Sequence, residues 1–384
     1  MAQIQANHIY SGDVLEVLSG LPDEAVDCVV TSPPYWGLRD YGVEGQLGLE
    51  ATPYEYVEKM ADVFREVRRV LSSTGTLWLN LGDTYATGAG KMGPQGRDKC
   101  GTIQLLSRAP RPAQEPNRMP IEGLKPKDLI GIPWRVAFAL QADGWFLRSE
   151  IIWHKPNPMP ESVGDRPTTA HEKIFLFSKS RQYHYDGDAI KEPMTCGFTS
   201  TGVGFGHGYD SVKKPRYKVP AGWDTGSGSH GNFNKAYSGK RAKGNRKTFR
   251  GGGAYTRNQS FDNSSEAKND SAGNEPNESG LRNKRTVWTV PTSPYPESHF
   301  ATFPPDLIRP CVLAGCPEGG IVLDPFLGSG TTAVVALNHG RHYVGIELNP
   351  EYVKLAEQRI LREGYLIECS PDGLQQRVLF EEFV

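Results

Sequence analysis

One short segment, Ser32-Pro33-Pro34-Tyr35, combines residue types that could activate an amino group on an aromatic ring. Such an amine is a poor nucleophile because its lone pair is delocalised into the ring. Two hydrogen-bond acceptors directed at its two protons would localise that pair. The Ser32 hydroxyl can be one acceptor and the Pro33 carbonyl the other, since consecutive prolines hold that carbonyl rigidly without a competing N–H. Tyr35 would provide a flat face on which an extruded base can stack.

A second candidate site is a glycine-rich loop, Asp324-Pro325-Phe326-Leu327-Gly328-Ser329-Gly330-Thr331. Glycines at 328 and 330 allow the backbone to turn sharply and to approach a ligand closely. A helix that starts near Gly330 would direct its free N–H groups at the same place. Glu347 ends the next predicted strand, where a carboxylate can accept hydrogen bonds from both hydroxyls of a ribose. The pattern therefore indicates a ligand that contains an adenosine.

Three classes of ligand compete for this loop. A P-loop would need a Gly-Lys-Ser/Thr sequence, and no lysine follows Gly330. A dinucleotide would fit the GxGxxA spacing and the later acid. S-adenosylmethionine also carries an adenosine but has an amino-acid head group instead of a pyrophosphate, and Asp324 could pair with its ammonium. The loop taken alone leaves the dinucleotide and S-adenosylmethionine open.

Alternating strands and helices are expected to position both segments. Strands are predicted near Tyr10 and over 26–30, 76–81, 146–153, 173–177, 321–324 and 342–347. Helices are predicted over 53–71, 129–140, 303–313, 330–338 and 350–361. The strand before Ser32 must end there because prolines cannot continue a central ladder. Strands this apolar suit an α/β sheet that helices cover on both faces.

Residues 196–285 differ from the rest of the chain, since they hold 16 of its 43 glycines. Residues 213–257 contain twelve Lys and Arg but one acidic residue, Asp224. Their local charge is therefore +11, in a chain whose formal net charge is −1. Aromatic residues are interleaved. We interpret this region as a loop-rich surface that meets DNA phosphates, with a solvated insert as the alternative. The candidate DNA-binding residues are Lys240, Arg241, Lys243, Arg246, Lys247, Arg250 and Arg257.

The composition excludes several other classes of protein. The six cysteines are scattered without a CxxC pair, which is typical of reduced cysteines in a cytosolic protein. The first five residues lack the basic and apolar segments of a secretion signal. No apolar run approaches the roughly 20 residues that a membrane span needs. We expect a cytoplasmic protein with no metal site and no membrane association.

Several segments, taken in order, resemble those of the β-class DNA amino-methyltransferases. Residues 31–35 resemble the catalytic motif, 324–331 the cofactor loop, 298–304 the start of the neighbouring helix, 12–15 the adenine-contacting turn and 150–157 a border of the base pocket. The resemblance implies a Rossmann-like sheet of seven mostly parallel strands with one antiparallel strand. It also implies a catalytic half over 1–195, a target-recognition region over 196–285 and a cofactor-binding half over 286–384.

The resemblance assigns roles to individual residues. Ser32, Pro33, Pro34 and Tyr35 would act on a flipped base. In the cofactor site Asp13 would accept from the adenine amine, Glu347 would bind the ribose and Asp324 would meet the methionine end. The implied S-adenosylmethionine site comprises Asp13, Phe303, Pro304, Asp324, Phe326, Gly328, Gly330, Thr331 and Glu347. Double-stranded DNA in a bacterial, archaeal or phage-infected cell is the implied substrate, whereas a cognate restriction endonuclease and a monomeric or homodimeric state are left open.

The methylated atom and two other classes of protein are the remaining alternatives. Family members with Ser at the position of Ser32 mostly resemble cytosine-N4 enzymes, so we expect N4 of cytosine, with N6 of adenine as the runner-up. Methylation at cytosine C5 would need a cysteine nucleophile, and Cys311 lies inside an apolar helical run. A nicotinamide-dependent oxidoreductase would leave residues 32–35 unexplained. A catalytically inactive DNA-binding protein would not need both motifs intact.

Overall fold

The computed structural model describes residues 4–38, 40–86, 121–193, 281–292 and 303–363, and the backbone of 365–369 and 375–379. The chain divides into two compact units, 1–192 with 283–384, and 193–282. Only three residues of the second unit's range are described, Pro193, Leu281 and Arg282. The predicted DNA-binding residues Lys240, Arg241, Lys243, Arg246, Lys247, Arg250 and Arg257 lie outside the described residues, as do residues 298–302.

Twelve strands are found in the described part of the chain. In chain order they are β1 (His8–Ser11), β2 (Val26–Thr31), β3 (Leu71–Leu81), β4 (Phe146–His154), β5 (His171–Ser178), β6 (Glu192–Pro193), β7 (Leu281–Arg282), β8 (Val287–Thr289), β9 (Ile321–Asp324), β10 (His342–Glu347), β11 (Tyr365–Cys369) and β12 (Gln375–Leu379). Eight of them form the central sheet in the order β1-β10-β9-β2-β3-β5-β4-β8. Strands β6 and β7 form one two-stranded sheet, and β11 and β12 form another.

The central sheet confirms the expected α/β, Rossmann-like class. Strand β5 runs antiparallel to both of its neighbours, and every other neighbouring pair in this sheet is parallel. The predicted count of seven strands is short by one. The additional strand is β8, which pairs with Ile152, Trp153 and His154 at the edge of the sheet. A strand of three residues is too short for alternation of polar and apolar side chains to reveal it.

Helices cover both faces of this sheet. They are α1 (Val14–Gly20), α2 (Pro53–Val70), α3 (Ile132–Ala142), α4 (Pro305–Gly315), α5 (Thr331–Asn338) and α6 (Pro350–Glu363). Helices α1 to α3 pack into one hydrophobic core, and α4 to α6 pack into a second. Val29 and Val30 are neighbours in β2 yet belong to opposite cores, because successive side chains of a strand point to opposite faces. Among the described helices, none is long and apolar enough to cross a membrane.

The topology brings both candidate segments to one edge of the sheet. Strands β1, β10, β9 and β2 are parallel neighbours, so their carboxyl ends lie side by side. Ser11 at the end of β1 pairs with Glu347 at the end of β10. Strand β2 ends at Thr31, directly before Ser32, and β9 ends at Asp324. Open α/β sheets bind ligands outside the carboxyl ends of their strands, and this edge is therefore the candidate site.

Candidate active site

The turn that follows β2 is fixed by bonds from outside it. The hydroxyl of Tyr56 on α2 donates to the Pro34 carbonyl at 2.8 Å. The indole Nε1 of Trp36 donates to the Glu50 carbonyl at 2.9 Å. Ser32 and Tyr35 are half-buried, whereas Thr31 is fully buried. The segment is thus a rigid support whose polar side chains remain partly accessible.

The phenol of Tyr35 is the centre of a polar cluster at this edge. Its Oη lies 2.8 Å from Glu172 Oε2, 2.7 Å from Asn80 Nδ2 and 3.1 Å from Ser32 Oγ. Burial and the negative charge of Glu172 raise the pKa of Tyr35 well above its usual value. The Lys155 ammonium pairs with Glu172 and lies 4.3 Å from the ring centroid of Trp153. Tyr35 is therefore a neutral phenol held by its hydroxyl.

Sequence reasoning did not single out Asn80, Lys155 or Glu172. Asn80 interrupts the apolar strand β3, which is the one signal that could have identified it. Glu172 lies in β5, directly opposite Trp153 of β4. Lys155 follows β4 and falls within the segment that resembles a border of the base pocket. The pairing of three strands brings these side chains together.

Gly82 supports the aromatic ring of Tyr35. A Cβ atom at position 82 would lie 2.5 Å from Cε2 and 2.7 Å from Cδ2 of that ring. These distances are far below van der Waals contact, so the ring packs directly on the backbone that follows β3. The absence of a side chain at 82 therefore sets where the Tyr35 ring can lie.

Asp324 connects the two candidate segments. Its Oδ1 accepts from the Thr31 hydroxyl at 2.7 Å and from the Phe326 amide at 3.0 Å, and its Oδ2 accepts from the Thr332 hydroxyl at 2.6 Å. The residue is 1% exposed. It therefore fastens the end of β2 to the glycine loop, a role that the sequence did not predict. Its pairing with a ligand ammonium stays a prediction.

Glu347 and Asp13 lie at adjacent strand ends. The Glu347 carboxylate accepts from the amides of Gly328 and Asn349, each at 2.8 Å, and burial raises its pKa. Asp13 caps α1, with Oδ1 accepting from Leu15 N at 2.9 Å and from Glu16 N at 3.1 Å. These capping bonds use one oxygen of Asp13. Both carboxylates are thus held in place with acceptor capacity remaining.

The glycine loop adopts the backbone conformation that its glycines suggest. Gly328 has a φ of +53°, and Gly330, the N-cap of α5, has a φ of +81°. From α6 the buried guanidinium of Arg359 donates to Thr331 Oγ1 at 2.8 Å and to Ser329 Oγ at 3.1 Å. Thr331, predicted to bind the cofactor, is itself buried and supports the loop through Arg359.

The remaining predicted cofactor residues surround this loop in different ways. Phe326 is half-buried within the loop, and Phe303 packs, partly buried, against the core that contains α4 and α5. Pro304 is buried and precedes α4, accepting from Leu307 N at 3.0 Å. A Cβ atom at Gly328 would have no close contact, since its nearest neighbour, the Phe326 carbonyl oxygen, would be as far as 4.0 Å away. The space beside Gly328, next to the Glu347 carboxylate, is therefore open to an approaching ligand.

Comparison with known proteins decides between the ligand classes. The family model described as DNA methylase, of the N6/N4 methyltransferase type, matches residues 26–358. This chain belongs to the DNA methylase family. The Type II methyltransferase M.SmaI of Serratia marcescens is 43% identical over 361 residues, covering 94% of this chain and 93% of that protein. M.Cfr9I of Citrobacter freundii is 41% identical over 355 residues, with 92% and 88% covered.

A solved structure agrees with the fold of this DNA methylase. The PvuII DNA methyltransferase, described as cytosine-N4-specific, superposes with a TM-score of 0.52 at 16% identity, covering 94% of this chain and 88% of that one. The family transfers a methyl group from S-adenosylmethionine to an amino group of DNA, at adenine N6 or cytosine N4. S-adenosylmethionine is therefore the cofactor, and the nicotinamide-dependent alternative is wrong.

A pH dependence of stability follows from the buried Asp324. Burial raises the pKa of its carboxyl to about 6, so the folded protein holds this proton more tightly than the unfolded chain does. The resulting stabilisation is complete below about pH 4 and is lost as the pH rises through 6. Relative to Asp324→Asn, wild type should lose about 2 kcal/mol of unfolding free energy between about pH 4.5 and about pH 8.

Urea titrations of both proteins at several pH values measure this difference. Other titrating groups cancel in the comparison because they are present in both chains. A difference between wild type and Asp324→Asn that does not change with pH would contradict the prediction.

Proposed function

We propose that this DNA methylase methylates the N4 amine of cytosine at a specific site in double-stranded DNA, after flipping the target base out of the duplex. The observation that carries the proposal is Ser32 at the first position of the catalytic segment, where a hydroxyl stands at the open carboxyl edge of the sheet. Family members with Asp or Asn at this position mostly modify adenine. Adenine N6 is the second candidate, because both bases present an aromatic amine that the same acceptors can bind.

The proposed chemistry uses the residues of the Ser-Pro-Pro-Tyr segment. The Ser32 hydroxyl and the Pro33 carbonyl accept the two amine protons and localise the nitrogen lone pair. The Pro34 carbonyl accepts a hydrogen bond from the Tyr56 hydroxyl, which fixes Pro34 and so holds the preceding Pro33 carbonyl in place. The ring of Tyr35 stacks on the flipped base. When bound, S-adenosylmethionine supplies the electrophilic methyl group. The amine nitrogen needs no strong base, since it can lose its proton once it is methylated.

The proposed cofactor site lies across the ends of β1, β9 and β10. Glu347 binds the ribose hydroxyls, and Asp13 accepts from the adenine amine through the oxygen that does not cap α1. Phe326 and Gly328 line the open face of the loop, while Gly330 and Thr331 shape it from behind. Asp324 acts at the methionine end, and Phe303 with Pro304 closes over the methionyl chain.

We further propose that residues 196–285 form the target-recognition region. Their excess of Lys and Arg supplies phosphate contacts whatever the sequence, and arginine side chains can read base edges. Residues 1–195 and 286–384 would then be the catalytic and cofactor-binding halves. The relatives are named Type II methyltransferases, which makes a cognate restriction endonuclease the proposed functional partner.

Nucleoside analysis of methylated DNA tests the proposed target. The purified protein is incubated with unmethylated DNA and S-adenosylmethionine, and the DNA is digested and analysed by mass spectrometry. We expect N4-methylcytosine, and none in a reaction without S-adenosylmethionine. If N6-methyladenine were the sole new nucleoside, the cytosine proposal would be wrong and adenine N6 would be the target.

A further inference from the structure

The polar cluster around Tyr35 has a definite direction of hydrogen bonding. Glu172 pairs with the Lys155 ammonium, and an ionised carboxylate can only accept hydrogen bonds. The single proton of the Tyr35 hydroxyl must therefore point to Glu172 Oε2, at 2.8 Å. This carboxylate sets the direction of every bond that follows.

The orientation of the Asn80 amide is fixed for the same reason. One of its terminal atoms lies 3.1 Å from Glu172 Oε2 and 2.7 Å from Tyr35 Oη. Only the NH₂ end suits a position beside a carboxylate, because a carbonyl oxygen there would be repelled. Asn80 therefore donates to Tyr35 and occupies one of the two acceptor positions on the phenol oxygen.

The direction in which the Ser32 hydroxyl donates follows from these hydrogen bonds. Tyr35 has no second proton to give, so its 3.1 Å contact with Ser32 Oγ is a hydrogen bond only if Ser32 is the donor. The Ser32 proton is then directed into the protein. The Asn80 amide makes a long contact of 3.4 Å with one lone pair of Ser32 Oγ, and the other remains for a donor that approaches from the open edge of the sheet.

We propose that Glu172 is a positioning residue that makes Ser32 an obligate hydrogen-bond acceptor for the base amine, acting through the hydroxyl of Tyr35. The proposal rests on the proposed role of Ser32 at the amine, and holds whether the amine belongs to cytosine or adenine. A free serine hydroxyl could equally donate its proton, which would not localise the amine's lone pair. Ordered from the interior outward, the chain is Glu172, Tyr35, Ser32 and the amine, each group accepting from the next.

Glu172→Gln reverses this chain at nearly unchanged volume. Lys155 still requires an oxygen, so the new amide turns its NH₂ toward Tyr35. The Tyr35 hydroxyl then donates to Ser32 instead of accepting from it. The Ser32 proton consequently points at the protons of the base amine, and Ser32 no longer accepts from them. We expect the single-turnover rate of methyl transfer to fall about 10- to 30-fold. The KM for DNA and the calorimetric Kd for S-adenosylmethionine should stay within about twofold of wild type.

Glu66→Gln is the matched control, because it also removes a partly buried carboxylate from an ion pair. Glu66 pairs with Arg69 at 2.9 Å on α2, and its side chain is 32% exposed, compared with 18% for Glu172. This control should retain the wild-type rate. Tyr35→Phe interrupts the chain of hydrogen bonds without removing the partly buried ion pair of Lys155 and Glu172, so it tests the proposal even if Glu172→Gln folds poorly.

A double-mutant cycle separates orientation through Tyr35 from a general structural effect. If Glu172 acts through the phenol hydroxyl, Tyr35→Phe combined with Glu172→Gln should be no slower than Tyr35→Phe alone. In the free protein, the ¹³Cζ resonance of Tyr35, assigned with Tyr35→Phe, should shift in Glu172→Gln because the hydroxyl changes its acceptor. Rates that multiply in the double variant, or a wild-type rate in either single variant, would overturn the proposal. Rates are measured as labelled methyl transferred to DNA, so an adenine product would overturn the proposed target and leave this result standing.

Discussion

Replacing Gly82 by alanine is expected to lower kcat for DNA methylation about 100-fold, since a displacement of the order of 1 Å in an active site can cost that much. The added Cβ would lie 2.5 Å from the Tyr35 ring, so the ring must move by nearly 1 Å. That movement shifts the stacking face and pulls the phenol hydroxyl away from Glu172 and Ser32. The φ of Gly82 is not in the left-handed region, so alanine adds contact without backbone strain.

S-adenosylmethionine affinity separates this effect from general damage. Gly82 follows β3, whereas the loop proposed to bind the cofactor follows β9, so the calorimetric Kd of Gly82→Ala should match that of wild type. Gly20→Ala is the control, because a Cβ there meets nothing within 4 Å. A rate for Gly82→Ala close to that of Gly20→Ala would show that the position of the Tyr35 ring is unimportant for turnover.

Gly330→Val is expected to destabilise the fold by about 2–5 kcal/mol and to abolish cofactor binding. A left-handed conformation costs a residue with a side chain about 1–2 kcal/mol, and a β-branched residue is the least tolerant. A Cβ at 330 would also lie 3.1 Å from the Cβ of Ala356 on α6, and forcing groups into a packed core costs about 1–3 kcal/mol more. Helix α5 would then separate from α6, and the loop would lose its shape.

Gly328→Val is the matched comparison, since Gly328 is also left-handed but its Cβ would project into open space. We expect the unfolding free energy of Gly328→Val to fall only by the conformational cost, about 1–2 kcal/mol. The variant should still bind S-adenosylmethionine, but weakly, because the valine side chain occupies part of the ligand's space. Chemical denaturation and calorimetry measure the two quantities independently. Equal stabilities for the two valine variants would mean that the contact between α5 and α6 does not restrain the loop.

The two chemical sites of this enzyme are coupled through buried oxygens. Thr31 precedes Ser32, the proposed amine acceptor, Thr332 lies in the first turn of α5, and the hydroxyls of both threonines donate to Asp324. A buried hydrogen-bond donor that loses its acceptor destabilises the fold, so the ends of β2 and β9 cannot shift independently. The amine acceptors and the loop proposed to hold the methyl donor therefore share one rigid support, which suits a direct transfer that depends on alignment.

Local sequence patterns were sufficient for most of the secondary structure. Apolar spacing predicted α2 over 53–71, and the helix spans Pro53–Val70. The strand over 321–324 was predicted to the residue. The pattern failed at α1, at β6, β7 and β8, and at the pair β11 and β12, which are short elements with few periods to detect. It also missed the start of β3, which reaches back to Leu71 because Val26 pairs with it ahead of a bulge.

The sequence by itself determined the fold class and the family and indicated two candidate segments, because glycine, proline and the alternation of apolar residues act over a few neighbours. Only the tertiary structure decided which residues support those segments. Asn80, Glu172 and Lys155 meet Tyr35 because β3, β4 and β5 pair in a particular register, and Arg359 reaches the loop because α6 packs on α5. Such contacts join residues tens to hundreds of positions apart, and they depend on strand order and helix packing, which no local pattern encodes.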